Sequence, residues 1–180
     1  MIRQQNRTWS DAPVVIDAAN VAASEQIPGC GKFCWDRVDA VRRAWKDEVD
    51  ADARFILVMD TGPSNQLGPT CKRNYRRESD AGDVIEVEFG DPEILRKAEQ
   101  NDAAVITADF YKDARREHPW IDGNRSQFFT WEVRGGTIHI VSRDMLVPSD
   151  FSKTRAEEQA ELKGLGADVK KPAVERALRQ

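Results

Sequence analysis

Five aspartates stand where side-chain chemistry could use them. Asp17 closes the apolar run at 14–16, Asp60 closes 55–59, Asp91 opens a helical segment after 84–87, and Asp109 follows 105–107 in "VITADFYKD". If the residues after Asp109 begin a helix, Asp113 lies four positions on and shares its face. Carboxylates drawn from distant parts of a chain suit a hard cation. Mg²⁺ or Mn²⁺ takes oxygen ligands, usually one or two carboxylates, with water and substrate phosphate completing the octahedron. Most of these acids also have a local explanation. Asp91 before Pro92 predicts an N-cap with the proline at the first helical position, and Asp109 could cap in the same way. Asp113 could be an exposed surface acid, and Asp60 in "MDTGPS" could start a turn through its own side chain. Asp17 is harder to explain locally, because a carboxylate leaving a buried strand is costly unless it is paired, hydrogen-bonded or metal-bound.

The elements that must hold these acids alternate. Strand-like runs at 14–16, 55–59, 84–87, 105–107 and 138–141 are separated by segments of helical spacing. Val38, Val41, Trp45 and Val49 recur every three or four residues, which predicts an amphipathic helix over 35–49. A second helix is expected in "DPEILRKAEQ", with Leu95 and Ala98 turned inward. The order β, α, β, short α, β, α, β predicts an α/β fold: a parallel sheet covered by helices on both faces. In such sheets ligands bind at the carboxyl ends of the strands, near the point where strand order reverses, and that is where the acids fall. "FFTWEVRGGTIHIV" alternates on either side of Arg134-Gly135-Gly136 and reads as a hairpin or a turn into the last strand.

At 180 residues the chain has room for one domain with a sizeable core, plus a tail. Its apolar fraction of 40 % contains no run near the length of about 20 residues that a membrane span needs. The first residues carry no apolar core of a secretory signal, and a cytoplasmic setting is expected. Cys30, Cys34 and Cys71 form no regular framework and read as reduced thiols; a Cys30–Cys34 zinc clip would have only His118 and His139 to complete it. A net charge of −4 gives no global basic field, so nucleic-acid binding must come from a local patch. The best patch is "CKRNYRR", where Lys72, Arg73, Arg76 and Arg77 surround Tyr75, although a solvated helix face would look the same.

"VVIDAANVA", followed downstream by "DPEILRKAEQNDAAVITADFYKD", resembles the NYN branch of the PIN-like ribonucleases, close to proteins with a Zc3h12a-like NYN domain. There the first strand ends in Asp-Gly-x-Asn, and a later one ends in Ser/Thr-x-Asp followed by an aromatic residue and another Asp. The resemblance implies a PIN-like (Rossmann-like) nuclease domain over 11–150, with a charged helical tail over 151–180. It implies that Asp17, Asp91, Asp109 and Asp113 are metal-site acids, that Asn20 orients Asp17 or a phosphate, and that the Thr107 hydroxyl stands beside the site. Two positions depart from the pattern. Ala18 takes the place of the usual glycine, and Gly90 stands where relatives often carry an additional acid.

The activity so implied is metal-dependent endonucleolytic cleavage of single-stranded or loop RNA. By charge and position, Lys72, Arg73, Arg76, Arg77, Lys112, Arg115 and Arg116 are assigned to the RNA backbone, with Tyr75 or Tyr111 stacking an unpaired base. RNA is thus the expected partner; no membrane is expected, and a homodimer is left open. The alternative is a catalytically weak RNA-binding module of the same fold, suggested by Ala18 and Gly90. A haloacid-type phosphate-transfer enzyme would need Asp-x-Asp where this chain has "DAAN".

Overall fold

The structure is a computed structural model that describes Trp9 and residues 12–111, 113–123 and 125–142. In chain order it contains β1 (Val14–Asp17), α1 (Ala18–Ala23), α2 (Trp35–Glu48), β2 (Phe55–Asp60), α3 (Thr61–Asn65), α4 (Pro69–Ala81), β3 (Val84–Val87), α5 (Gly90–Asn101), β4 (Ala104–Ile106), β5 (Phe128–Arg134) and β6 (Thr137–Ser142). Residues 110–123 fall in a second compact unit, with a 3-10 turn at Asp113–Arg116 and a short helix, α6 (Trp120–Gly123). The other described residues belong to the first unit. The charged tail expected over 151–180 lies outside the described residues.

The six strands form one sheet in the order β3-β2-β1-β4-β5-β6. It is parallel except for β6, which runs antiparallel to β5. This is the expected α/β architecture, and its apolar runs are continuous because both faces are covered. Val14, Ile16, Leu57, Met59, Ala104 and Ile106 alternate onto one face and join the core built with α1, α2 and α4. Val15, Val58 and Val105 alternate onto the other face, where α5 packs across β1 to β4 with Ile94, Leu95 and Ala98 buried.

The predicted helix over 35–49 is α2, ending one residue earlier. The "short α" between β2 and β3 is two helices, and the second, α4, carries the basic cluster. The Gly-Gly segment makes a hairpin: Gly135 and Gly136 have φ of 58° and 82°, as a tight turn between twisted strands requires. One expectation is corrected. The helix after β3 opens at Gly90, with Phe89 at the cap position, so Asp91 is its second residue rather than its N-cap and Pro92 its third.

Candidate metal centre at the carboxyl edge of the sheet

Strand register brings the acids together. Asp17 pairs with Val58, so Asp60 extends β2 two residues beyond it on the same face of the sheet. Ile16 pairs with Ile106, and Thr107 therefore follows beside Asp17. Asp17 shares its parity with Val15 and so faces the side covered by α5, whose first turn carries Gly90 and Asp91. The meeting point of β1 and β4 is also where the strand order reverses, the place at which open α/β sheets bind ligands.

Asp17 is buried and held from two sides. The Asn20 backbone N–H donates to its Oδ1 at 3.0 Å, and the Thr107 hydroxyl donates to its Oδ2 at 3.0 Å. Thr107 Oγ1 in turn accepts the backbone N–H of Asp109 at 3.0 Å, so one buried hydroxyl ties the end of β1 to the segment that bears Asp109. The carboxyl of Asp17 is pushed up to about 7, chiefly by burial; the two hydrogen bonds oppose the shift, and the charges of Asp91 and Asp60 add to it. The expected glycine freedom at Ala18 is not needed, because the chain passes straight from β1 into α1 with Asp17 as the N-cap. Asn20 holds Asp17 through its main chain. Its side chain lines a groove of about 480 Å³ shared with Ser24, Gln26, Ala108, Thr130 and Trp131.

Asp60 belongs to this group, and the turn-forming role that its sequence suggests is not the one it plays. Its side chain makes no capping bond to α3. Its Oδ1 is buried without a hydrogen-bond partner. Burial raises its pKa, with the neighbouring Gly90 backbone N–H working against the shift. Gly90 is a requirement of this arrangement, since a Cβ there would come within 2.5 Å of Asp60 Oδ1. The position that departs from the family pattern is thus the one that admits a carboxylate from β2. The signal was present in the sequence: Asp60 closes a buried strand as Asp17 does. A buried carboxylate oxygen without a partner, a second buried carboxyl with a raised pKa and a donor set made only of oxygens together fit a hard divalent cation, which these acids could hold.

The remaining candidates are placed as follows. Asp91 is exposed on the first turn of α5, and the Asp109 carboxylate is half-buried. Lys112 and the side chains of Asp113 and Arg116 lie outside the described residues. Arg115 is buried, and its Nε and Nη2 donate to the Phe110 carbonyl at 3.1 and 2.9 Å, so it clips its own loop instead of offering an open guanidinium. Lys72, Arg73, Arg76 and Arg77 line one concave surface of about 590 Å³ on α4, together with Pro69 and Asp80. The base-stacking expectation for the tyrosines is corrected. Tyr75, on the opposite face of α4, packs edge-on against Trp35 at 5.0 Å, and Tyr111 is buried in the second unit. Among the described residues the aromatic ring most open to solvent is Phe89, 72 % exposed, directly before Gly90 and Asp91.

No family model matches this sequence, and no curated protein does. Solved structures share its fold. Two structures of the nuclear proteinaceous RNase P 2 (PRORP2) of Arabidopsis thaliana resemble it. One has a TM-score of 0.56 at 12 % identity over 73 % of this chain, the other 0.59 at 15 % identity over 72 %. This chain spans 30 % and 29 % of the length of those two chains. At such identities the likeness is one of fold, a mostly parallel α/β sheet.

Proposed function

We propose that the chain is a metal-dependent endoribonuclease of the NYN/PIN-like class, of the Zc3h12a-like type its motifs resemble. Its substrate would be single-stranded or loop RNA in the cytoplasm, a compartment that suits three unbridged thiols. The observation that carries this proposal is the convergence of Asp17, Asp60 and Asp91, with the Thr107–Asp109 segment, at the switch point of the sheet. Asp17, Asp60, Asp91 and Asp109 are the residues that would hold Mg²⁺ or Mn²⁺. When bound, such an ion supplies a water of lowered pKa and polarises a phosphoryl oxygen.

The chain's own groups do the positioning. Asn20 N–H and the Thr107 hydroxyl fix both oxygens of Asp17, so its charge is presented from one rotamer. The amide of Asn20 in its groove provides a neutral contact for a phosphate or ribose, and the first turn of α5 turns backbone N–H groups toward the edge where a phosphate would lie. Lys72, Arg73, Arg76 and Arg77 guide the RNA backbone along α4, and Phe89 offers its open ring to an unpaired base.

The experiment is incubation of the purified chain with a mixed RNA pool in Mn²⁺ or Mg²⁺, then with EDTA, and mapping of the cut sites. Internal cuts that need the metal are expected. RNA retention with no cleavage under any of these conditions would select the binding-module alternative.

A further inference from the structure

All three cysteines of the chain meet at one point, in a group that includes none of the acids of the sheet edge. Cys30 Sγ lies 2.9 Å from Cys34 Sγ and 2.6 Å from Cys71 Sγ, and the last two are 3.2 Å apart. A carboxylate oxygen of Asp36 falls in the same group, with every ligand atom within 4.8 Å of the others. We propose that Cys30, Cys34, Cys71 and Asp36 bind one zinc ion that staples the 27–34 loop and the start of α2 to α4.

A disulfide joins two sulfurs and leaves a third aside, whereas here all three crowd together at 2.6 to 3.2 Å; Zn–S bonds of about 2.3 Å in a tetrahedron put sulfurs about 3.8 Å apart, so the three would spread by about 1 Å to admit the ion. Thiolates are soft donors that select zinc, and three of them with one carboxylate complete a tetrahedron with Zn–S bonds of about 2.3 Å. The surroundings are prepared for this. The Cys30 backbone N–H donates to Cys34 Sγ at 3.1 Å, the kind of outer hydrogen bond that steadies a ligating thiolate. The loop is fixed by buried Arg37, which donates to the carbonyls of Ala22, Ile27, Gly31 and Lys32. Gly29 is pressed against that guanidinium, where a Cβ would come within 2.5 Å of Nε. Cys34 and Cys71 are fully buried and form a dry floor, while Cys30 and Asp36 are exposed and leave a way in. Sequence spacing hides the site: Cys71 comes from the first turn of α4, far from the Cys30–Cys34 pair, and no histidine takes part. The site does not depend on the nuclease proposal, although α4 also carries the basic face.

The test uses the full chain purified under reducing conditions without chelator. Elemental analysis is expected to give about one zinc per chain. Replacement by Co²⁺ should give the intense thiolate charge-transfer band and visible bands of a tetrahedral site. Cys30→Ser, exposed and outside the core, should weaken zinc binding by more than the roughly tenfold that loss of an outer hydrogen-bond partner already costs, while the protein stays folded. Asp36→Asn should shift the cobalt visible bands. A folded wild-type chain that neither retains zinc nor takes it up from micromolar solution would overturn the site, as would an intact mass short of two hydrogens, the signature of a disulfide. Unchanged cobalt bands in Asp36→Asn would overturn Asp36 as the fourth ligand.

Discussion

Asp17→Asn should make this protein more stable and abolish the RNA cleavage proposed for it. The Asp17 carboxyl moves from an ordinary value of 3.8 to about 7 on folding, so the folded state binds its proton more tightly than the unfolded chain does. Its destabilising contribution is therefore absent below about pH 4, grows as pH rises from about 4 to 7, and is constant above that. Three units at about 1.4 kcal/mol each put the full effect near 4 kcal/mol. Asparagine keeps an acceptor for the Asn20 N–H but cannot receive the Thr107 hydroxyl proton at its amide nitrogen, which returns about 1 kcal/mol. The net gain of roughly 3 kcal/mol corresponds to a rise in Tm of about 6–12 °C near pH 8 for a chain of this size; near pH 4, where only the lost hydrogen bond remains, the variant's Tm should lie about 2–4 °C below the parent's. Thermal denaturation of both proteins across this range, with and without Mn²⁺, is the assay. Added Mn²⁺ should raise the wild-type Tm far more at the alkaline end, because the ion binds the ionised acids, and should do little for the variant. The two Tm curves running parallel at every pH would refute the reasoning, since Asp60, Asp91 and the remaining titrating groups are common to both chains.

Asp109→Asn is expected to keep a Tm at or above the parent's, because asparagine serves as well as aspartate in any capping role, and to lower RNA cleavage at least about 100-fold in a gel assay. Wild-type-like cleavage by this variant would leave Asp109 a structural residue. Replacing Arg73, Arg76 and Arg77 together by Ala should weaken binding of unrelated RNAs alike and flatten the dependence of log K on log salt, since phosphate contacts act through counterion release; an unchanged slope would return α4 to the role of a solvated face. Phe89→Ala should weaken single-stranded RNA binding by about 1–3 kcal/mol, the usual worth of one stacked base, with no loss of Tm because the ring is 72 % exposed; equal affinity in fluorescence anisotropy would remove the ring from the interface.

The parallel sheet was legible because strands buried on both faces must be apolar throughout, and Val14–Ile16 and Ala104–Ile106 are. The burial of Asp17 was legible for the same reason: a charge at the end of such a run has nowhere cheap to go. Asp60 was harder to read, because its neighbours "TGPS" offer an equally good local explanation, and only the missing side-chain cap and the contact with Gly90 set that aside. Tyr75 was misplaced because a basic cluster hides the inward stripe of its helix, where Cys71 and Tyr75 stand four residues apart. The meeting of Cys71 with Cys30 depends on how α4 packs against α2, a long-range fact that spacing alone does not carry.

The position of β1 shapes the order in which the molecule can be completed. Among the described strands it is the first to leave the ribosome, yet it ends in the middle of the sheet, between β2 and a β4 that is made much later; the bond from Thr107 to Asp17 spans 90 residues. Until β4 arrives, β1 is an open edge with unpaired N–H and C=O groups and an apolar side chain on each face, the kind of surface on which nascent chains pair with one another. The same delay withholds the Thr107 hydroxyl, so Asp17 acquires its second anchor only when β4 closes the centre of the sheet. A half-made chain therefore carries a sticky strand and an incomplete acid cluster, and the insertion of β4 removes both conditions in one step.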